Sequence, residues 1–181
     1  MSRTYRSDKE SRIAERRMPR DREGNIVLPR IVVRKPRPGD VHPIKRRQLS
    51  QVLDRVPLKY LYNLSKVEML PRKDGIGPPF GYYLPSEKRI ALYSLPLKWE
   101  LIYGDELGAD LAGPFLHLEE HGAVVETDEN IATVTWPDEN RMALWLCREV
   151  LLHELGHHFR ATYRAKRRAG FNIKNEDEEF F

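Results

Sequence analysis

The 181-residue sequence has one cysteine, Cys147. That excludes an internal disulfide and any structural zinc site built on several thiolates. No apolar run approaches the roughly 20 residues a membrane helix needs, and the N-terminus, MSRTYRSDKESRIAERR, is charged where a secretory signal would be apolar. The expectation is a cytoplasmic protein without membrane contact. Aromatic residues are also scarce at the start: Tyr5 stands alone in the first 25 positions. A nucleic-acid contact there would be made to phosphate rather than to stacked bases.

Charge is unevenly spread. Residues 1–47 carry fifteen Lys and Arg against six Asp and Glu, a net +9, while the whole chain is only +4 and the remainder therefore −5. With few apolar residues to bury, the first 25 positions are expected to form a mobile arm, either a solvating tail or a weak contact for nucleic acid or an acidic partner. Pro29, Pro36, Pro38 and Pro43 make residues 29–43 read as an extended linker. The expected organisation is thus a disordered basic arm and linker over 1–43 and one folded domain over 44–181.

Within that domain, Leu49, Val52, Leu53, Val56, Leu61 and Leu64 recur at helical spacing, with Pro57 as a break and Ser50 as a cap. The period then changes, and a short strand is predicted around Val67 and Met69. Phe80 to Leu95 reads as a hairpin about Pro85-Ser86-Glu87-Lys88, and Trp99 to Tyr103 as a short helix. A second hairpin pairs residues 123–126 with Ile131 to Trp136. Asp138 is placed to cap a helix running from about Glu139 to about Tyr163.

That last helix carries the chemistry. His153-Glu154-Leu155-Gly156-His157 sets two imidazoles four residues apart, so they stand one turn above the other and can reach one cation. Glu154, turned about 100° from His153, flanks that cation without ligating it. The apolar flanks Val150, Leu151, Leu152 and Phe159 argue for a supported, buried helix. His158 falls about 140° from His153, off the metal face, and reads as a packing or supporting residue. The rival H-x-x-E-H at His117, Glu120 and His121 is followed at once by Gly122, and reads as a short surface helix ended by a glycine cap.

Two histidines, a carboxylate from elsewhere in the chain and an open fourth position describe a catalytic zinc, one Zn2+ per chain. Such a zinc lowers the pKa of its water, Glu154 removes the proton as general base, and peptide-bond hydrolysis follows.

The H-E-L-G-H run, preceded by a helix, a strand and a Gly/Tyr-rich hairpin, resembles the gluzincin zinc peptidases, and among them the ImmA/IrrE-type metallo-endopeptidase domains. The resemblance covers roughly Leu49 to Phe181, with residues 150–159 as its specific motif. It implies an α+β, zincin-like domain with a short, mostly antiparallel sheet packed on the motif helix. It also implies a third metal ligand about twenty residues past His157, for which Glu176, preceded by Asn175, fits best and Glu178 and Glu179 are rivals. The implied substrate is a protein or peptide, in a family whose members can cleave transcriptional repressors; the strand over Ile131 to Trp136 reads either as the edge that receives it or as part of an ordinary hairpin packed in the core. Tyr163 and Arg160 are near in sequence but carry no assigned role. The acidic cluster ends two residues before the chain does, where the family continues a helix. That departure and the basic arm motivate an alternative: a non-hydrolytic, metal-binding regulatory module that contacts DNA or a partner through the arm.

Overall fold

The computed structural model describes residues 11–73, 80–102, 117–128 and 131–164. The chain is mixed α+β, and its strands fall into two small sheets. Strand β1 (Arg30–Val33) is followed by helices α1 (Arg46–Arg55) and α2 (Leu58–Leu61), then β2 (Lys66–Leu70), β3 (Gly81–Leu84), β4 (Arg89–Tyr93) and β5 (Lys98–Ile102). Strands β6 (Val124–Asp128) and β7 (Ile131–Thr135) lead into α3 (Glu139–Trp145), a six-residue π-helical segment (Leu146–Leu151) and α4 (Leu152–Arg164).

The first sheet has the order β1-β2-β4-β3, with β1, β2 and β4 parallel and β3 antiparallel to β4. The second is antiparallel, β5-β7-β6. One mostly antiparallel sheet was expected; two form, and the larger is mixed. Alternation sorts the residues of the first sheet. Val67, Met69, Ile90 and Leu92 share the core face, while Lys66, Glu68 and Arg89 share the other and form ion pairs there. A shell of rings joins the two sheets to the long helix. Phe80 stands 5.3 Å from Trp99 and 4.8 Å from Trp145, and Trp145 stands 5.5 Å from Trp136.

The boundary expected at residue 44 is not where the packing begins. Residues 11–17 are helical, with Ala14 and Met18 buried. Arg30–Val33 is a strand in register with Lys66–Met69, and Val41 bridges to Leu95. Asp40 is buried, accepting a hydrogen bond from Ser94 Oγ at 3.0 Å and pairing with Arg72 at 3.5 Å. The prolines flank β1 rather than forbid it, because an edge strand needs only alternate N–H groups. Residues 1–10 lie outside the described residues.

Three local expectations also change. Trp99 begins no helix: it pairs with Val134, and Leu101 with Ala132, so a partner more than thirty residues away overrides the local preference. Ser50 lies inside α1; the cap is Lys45, whose N–H donates to Gln48 Oε1 at 2.8 Å. Strand β7 lies between β5 and β6, so Ile131 to Trp136 has both edges paired and cannot receive another strand.

The final helix begins at Asp138 as expected. Its carboxylate accepts from the N–H groups of Asn140 and Arg141 at 2.8 and 3.0 Å, satisfying two donors a helix start leaves open. The π-helical turn was not foreseen. It keeps one face buried: Met142, Leu146, Leu151, Leu155 and His158 are all buried at successive steps of four, five, four and three residues. The step of five is the one that a regular α-helix cannot place on a single face.

Candidate metal centre

Helix α4 is held on two sides. Toward α2, Phe159 packs on Tyr60 with the rings tilted and centroids 4.9 Å apart, and Tyr163 lies 6.2 Å from Tyr62. Toward β3, Tyr83 meets His158 edge-on at 5.1 Å. His158 is fully buried, and its Nε2–H donates to the Tyr62 carbonyl at 3.0 Å, which fixes its tautomer. Burial lowers its pKa, outweighing that hydrogen bond. It ties the helix to both α2 and β3.

With the helix fixed, His153 and His157 face one point. Their Nε2 atoms are 2.9 Å apart and the rings are nearly perpendicular, with centroids at 4.5 Å. Two imidazoles on one tetrahedral zinc, with bonds of about 2.05 Å, would hold those atoms about 3.3 Å apart. The pair therefore fits a shared cation after a few tenths of an ångström of relaxation. His153 is exposed and His157 half-buried, so the open side of the pair is reachable.

Glu154 is buried beside them. Burial pushes its carboxyl above the ordinary range, while His157, His153 and the Tyr83 N–H, which donates to it, pull the other way without cancelling the shift. The strand pairing explains why that N–H is available. Tyr93 N–H donates to the Phe80 carbonyl, so hydrogen-bonded pairs alternate along the hairpin at Phe80, Tyr82 and Leu84. Gly81 and Tyr83 then turn their backbone groups away from β4, toward the free edge of the sheet.

The site opens into a cleft of about 430 Å³ between β3 and α4, lined by Tyr82, Tyr83, Pro85, Glu154, His157, Arg160 and Ala161. On the other flank of α4, Leu152, Leu155 and Gly156 form an apolar hollow of about 410 Å³ with Val52, Val56 and Tyr60. No local pattern marks Tyr83 for the centre. Only the alternation of the hairpin, combined with knowledge of which strand ends the sheet, would have found it.

Of the residues proposed from sequence, His153, Glu154 and His157 come together. Glu176, Glu178 and Glu179 lie outside the described residues. Among the described residues no group of three or more His, Cys, Asp or Glu is arranged to hold a metal. The rival motif ends as a capped helix: Gly122 N–H donates to the Glu119 carbonyl and Ala123 N–H to the Leu118 carbonyl, with Gly122 at φ +88°. His121 Nδ1 bonds the His117 carbonyl at 2.7 Å, so the two rings do not converge. Cys147 is half-buried, its thiol pushed up to about 11 by burial, which leaves it a packing residue.

Among the described residues no helix is long and apolar enough to cross a membrane. Comparison with known proteins gives nothing further: no family, no curated protein and no solved structure matches the chain.

Proposed function

We propose that the protein is a zinc-dependent metallo-endopeptidase of the gluzincin type, in which His153 and His157 hold the metal and Glu154 is the general base. The observation that carries this reading is the convergence of His153 Nε2 and His157 Nε2 at 2.9 Å beside a buried carboxylate at the mouth of a cleft. Two packed histidines would not require Glu154 there, since burying a carboxylate is costly even with one N–H donor and such a group is kept where it has a task.

When bound, zinc would polarise the scissile carbonyl and acidify the attacking water. Glu154 would take that water's proton and hand it to the leaving amine. Its raised pKa brings it nearer the operating range of a general base, and the Tyr83 N–H holds the carboxylate in place between the two transfers. With its N–H given to Glu154, Tyr83 has its outward carbonyl left to offer an extended peptide along the cleft. Glu176 is the proposed third ligand.

The test is a pair of measurements on the Glu154→Gln protein. It should bind zinc as the wild type does and lose hydrolysis of an unfolded protein substrate by at least about a hundredfold, the usual contribution of a general base. Undiminished hydrolysis by Glu154→Gln contradicts the assignment.

A further inference from the structure

We infer that the apolar hollow on the flank of α4 is the seat of residues 176–181 of this same chain, Glu-Asp-Glu-Glu-Phe-Phe, with a phenylalanine ring inside it and the carboxylates at its rim. The inference goes beyond the peptidase reading and does not depend on it. Val52, Val56 and Tyr60 line the hollow on one side and Leu152 and Leu155 on the other, around about 410 Å³. Cavities of roughly 300–1,000 Å³ are the ones that hold small ligands. Leu155 is buried, but Leu152 leaves 47% of its surface in water. Concave apolar surface left open in this way is the mark of a groove that another group covers.

Charge and reach name the occupant. Arg55 is the one charged residue among the described lining residues; it is exposed and forms no ion pair among the described residues. Beyond Arg164 the sequence has two apolar pairs, Phe171 with Ile173 and Phe180 with Phe181. The first is flanked by Lys166, Arg167, Arg168 and Lys174, which Arg55 repels. The second follows four consecutive carboxylates, Glu176, Asp177, Glu178 and Glu179, which Arg55 attracts. Gly156, at the floor of the hollow, lies about 12 Å along the axis before Arg164. The intervening residues 165–180 span roughly 50 Å when extended, several times that distance. Each phenylalanine brings about 150–250 Å² of surface to bury. Docking there also suits the histidine pair. Gly156 is turned about 60° from His153, on the side away from Glu154, so the docked segment lies beside His153 and leaves the cleft open. Glu176, proposed above as the third ligand, is then within about 13 Å of the anchored Phe180.

Methyl NMR of the full-length, zinc-free chain reads the hollow directly, because the ring current of a docked phenylalanine shifts the methyl signals of Val52 and Leu152. Phe180→Ala/Phe181→Ala should move both signals, and Phe171→Ala/Ile173→Ala neither. Arg55→Glu should weaken docking roughly threefold, as expected for one exposed charge contact, and Glu178→Lys/Glu179→Lys in that background should restore part of it. Methyl signals that ignore the loss of both terminal phenylalanines overturn the inference, as does an equal response to Phe171→Ala/Ile173→Ala. Shifts that grow with protein concentration also overturn it, since they give the hollow to a second copy of the chain. Docking in a chain that takes up no zinc upholds the inference and refutes the metal reading alone.

Discussion

Gly81 is where the sheet that lines the cleft meets the helix that carries the histidines, and replacing it with alanine tests that contact. A Cβ at this position would lie 2.7 Å from Val150 Cγ1 and 2.9 Å from the Ala91 carbonyl oxygen. Neither neighbour gives way easily. Val150 is buried in the π-helical segment, and Ala91 is fully buried in β4, paired with Tyr82. Overpacking of this kind costs about 1–3 kcal/mol. For a chain of this size 2 kcal/mol corresponds to roughly 4–8 °C in Tm. Urea unfolding followed by tryptophan fluorescence would read it, since Trp99, Trp136 and Trp145 are all buried. In a Val150→Ala background the cost of Gly81→Ala should shrink but not vanish, because the carbonyl contact remains. Relief of the strain by moving β3 would also draw the Tyr83 N–H, two residues on, away from Glu154. A Gly81→Ala protein within 0.5 kcal/mol of wild type would refute the close packing of β3 on the helix and the support it gives the site.

Other consequences follow from the same packing. Asp138→Ala removes the acceptor for two helix N–H groups and should cost about 1 kcal/mol in urea denaturation. Deleting the exposed Arg148 removes the extra residue of the π-helical turn and leaves the orientation of α4 unchanged, so it should destabilise far less than deleting Leu144 one turn earlier, which rotates everything after it; the two unfolding midpoints decide. His42 has its pKa lowered, chiefly by burial, against the opposing effects of its hydrogen bond to the Arg34 carbonyl and of Asp40. A half-buried histidine with a lowered pKa binds fewer protons than in the unfolded chain. Its contribution is therefore complete above about pH 6.5 and is lost as pH falls through that value toward the folded pKa. Between pH 7.5 and 5.5 the wild type should lose more stability than His42→Gln, and equal slopes would contradict this.

What could be read in the sequence was mostly what is decided within a few residues. The His153 and His157 pair, the Asp138 cap, the Pro85 to Lys88 turn and the Gly122 stop all rest on local geometry, and each appears at the expected place. What escaped was decided by distant partners. Trp99 is a strand because Val134 is beside it, and Arg30–Val33 is a strand because Lys66–Met69 is. The basic composition of residues 11–43 concealed Ala14, Met18 and Asp40, which are few but buried. Tyr83 reached the site through the order of the sheet, which no local pattern encodes. The π-helical turn did leave a trace, the five-residue step from Leu146 to Leu151, which is legible only when the buried positions are counted one by one.

Elemental analysis of the zinc-reconstituted full-length chain decides whether His153 and His157 bind one metal ion. One zinc per chain is expected, lost in both His153→Ala and His157→Ala, retained in Glu154→Gln and weakened in Glu176→Ala. A wild type that takes up no zinc, or single histidine variants that keep it, would leave the pair as two hydrogen-bonded side chains on a well-supported helix and rule out the metal centre.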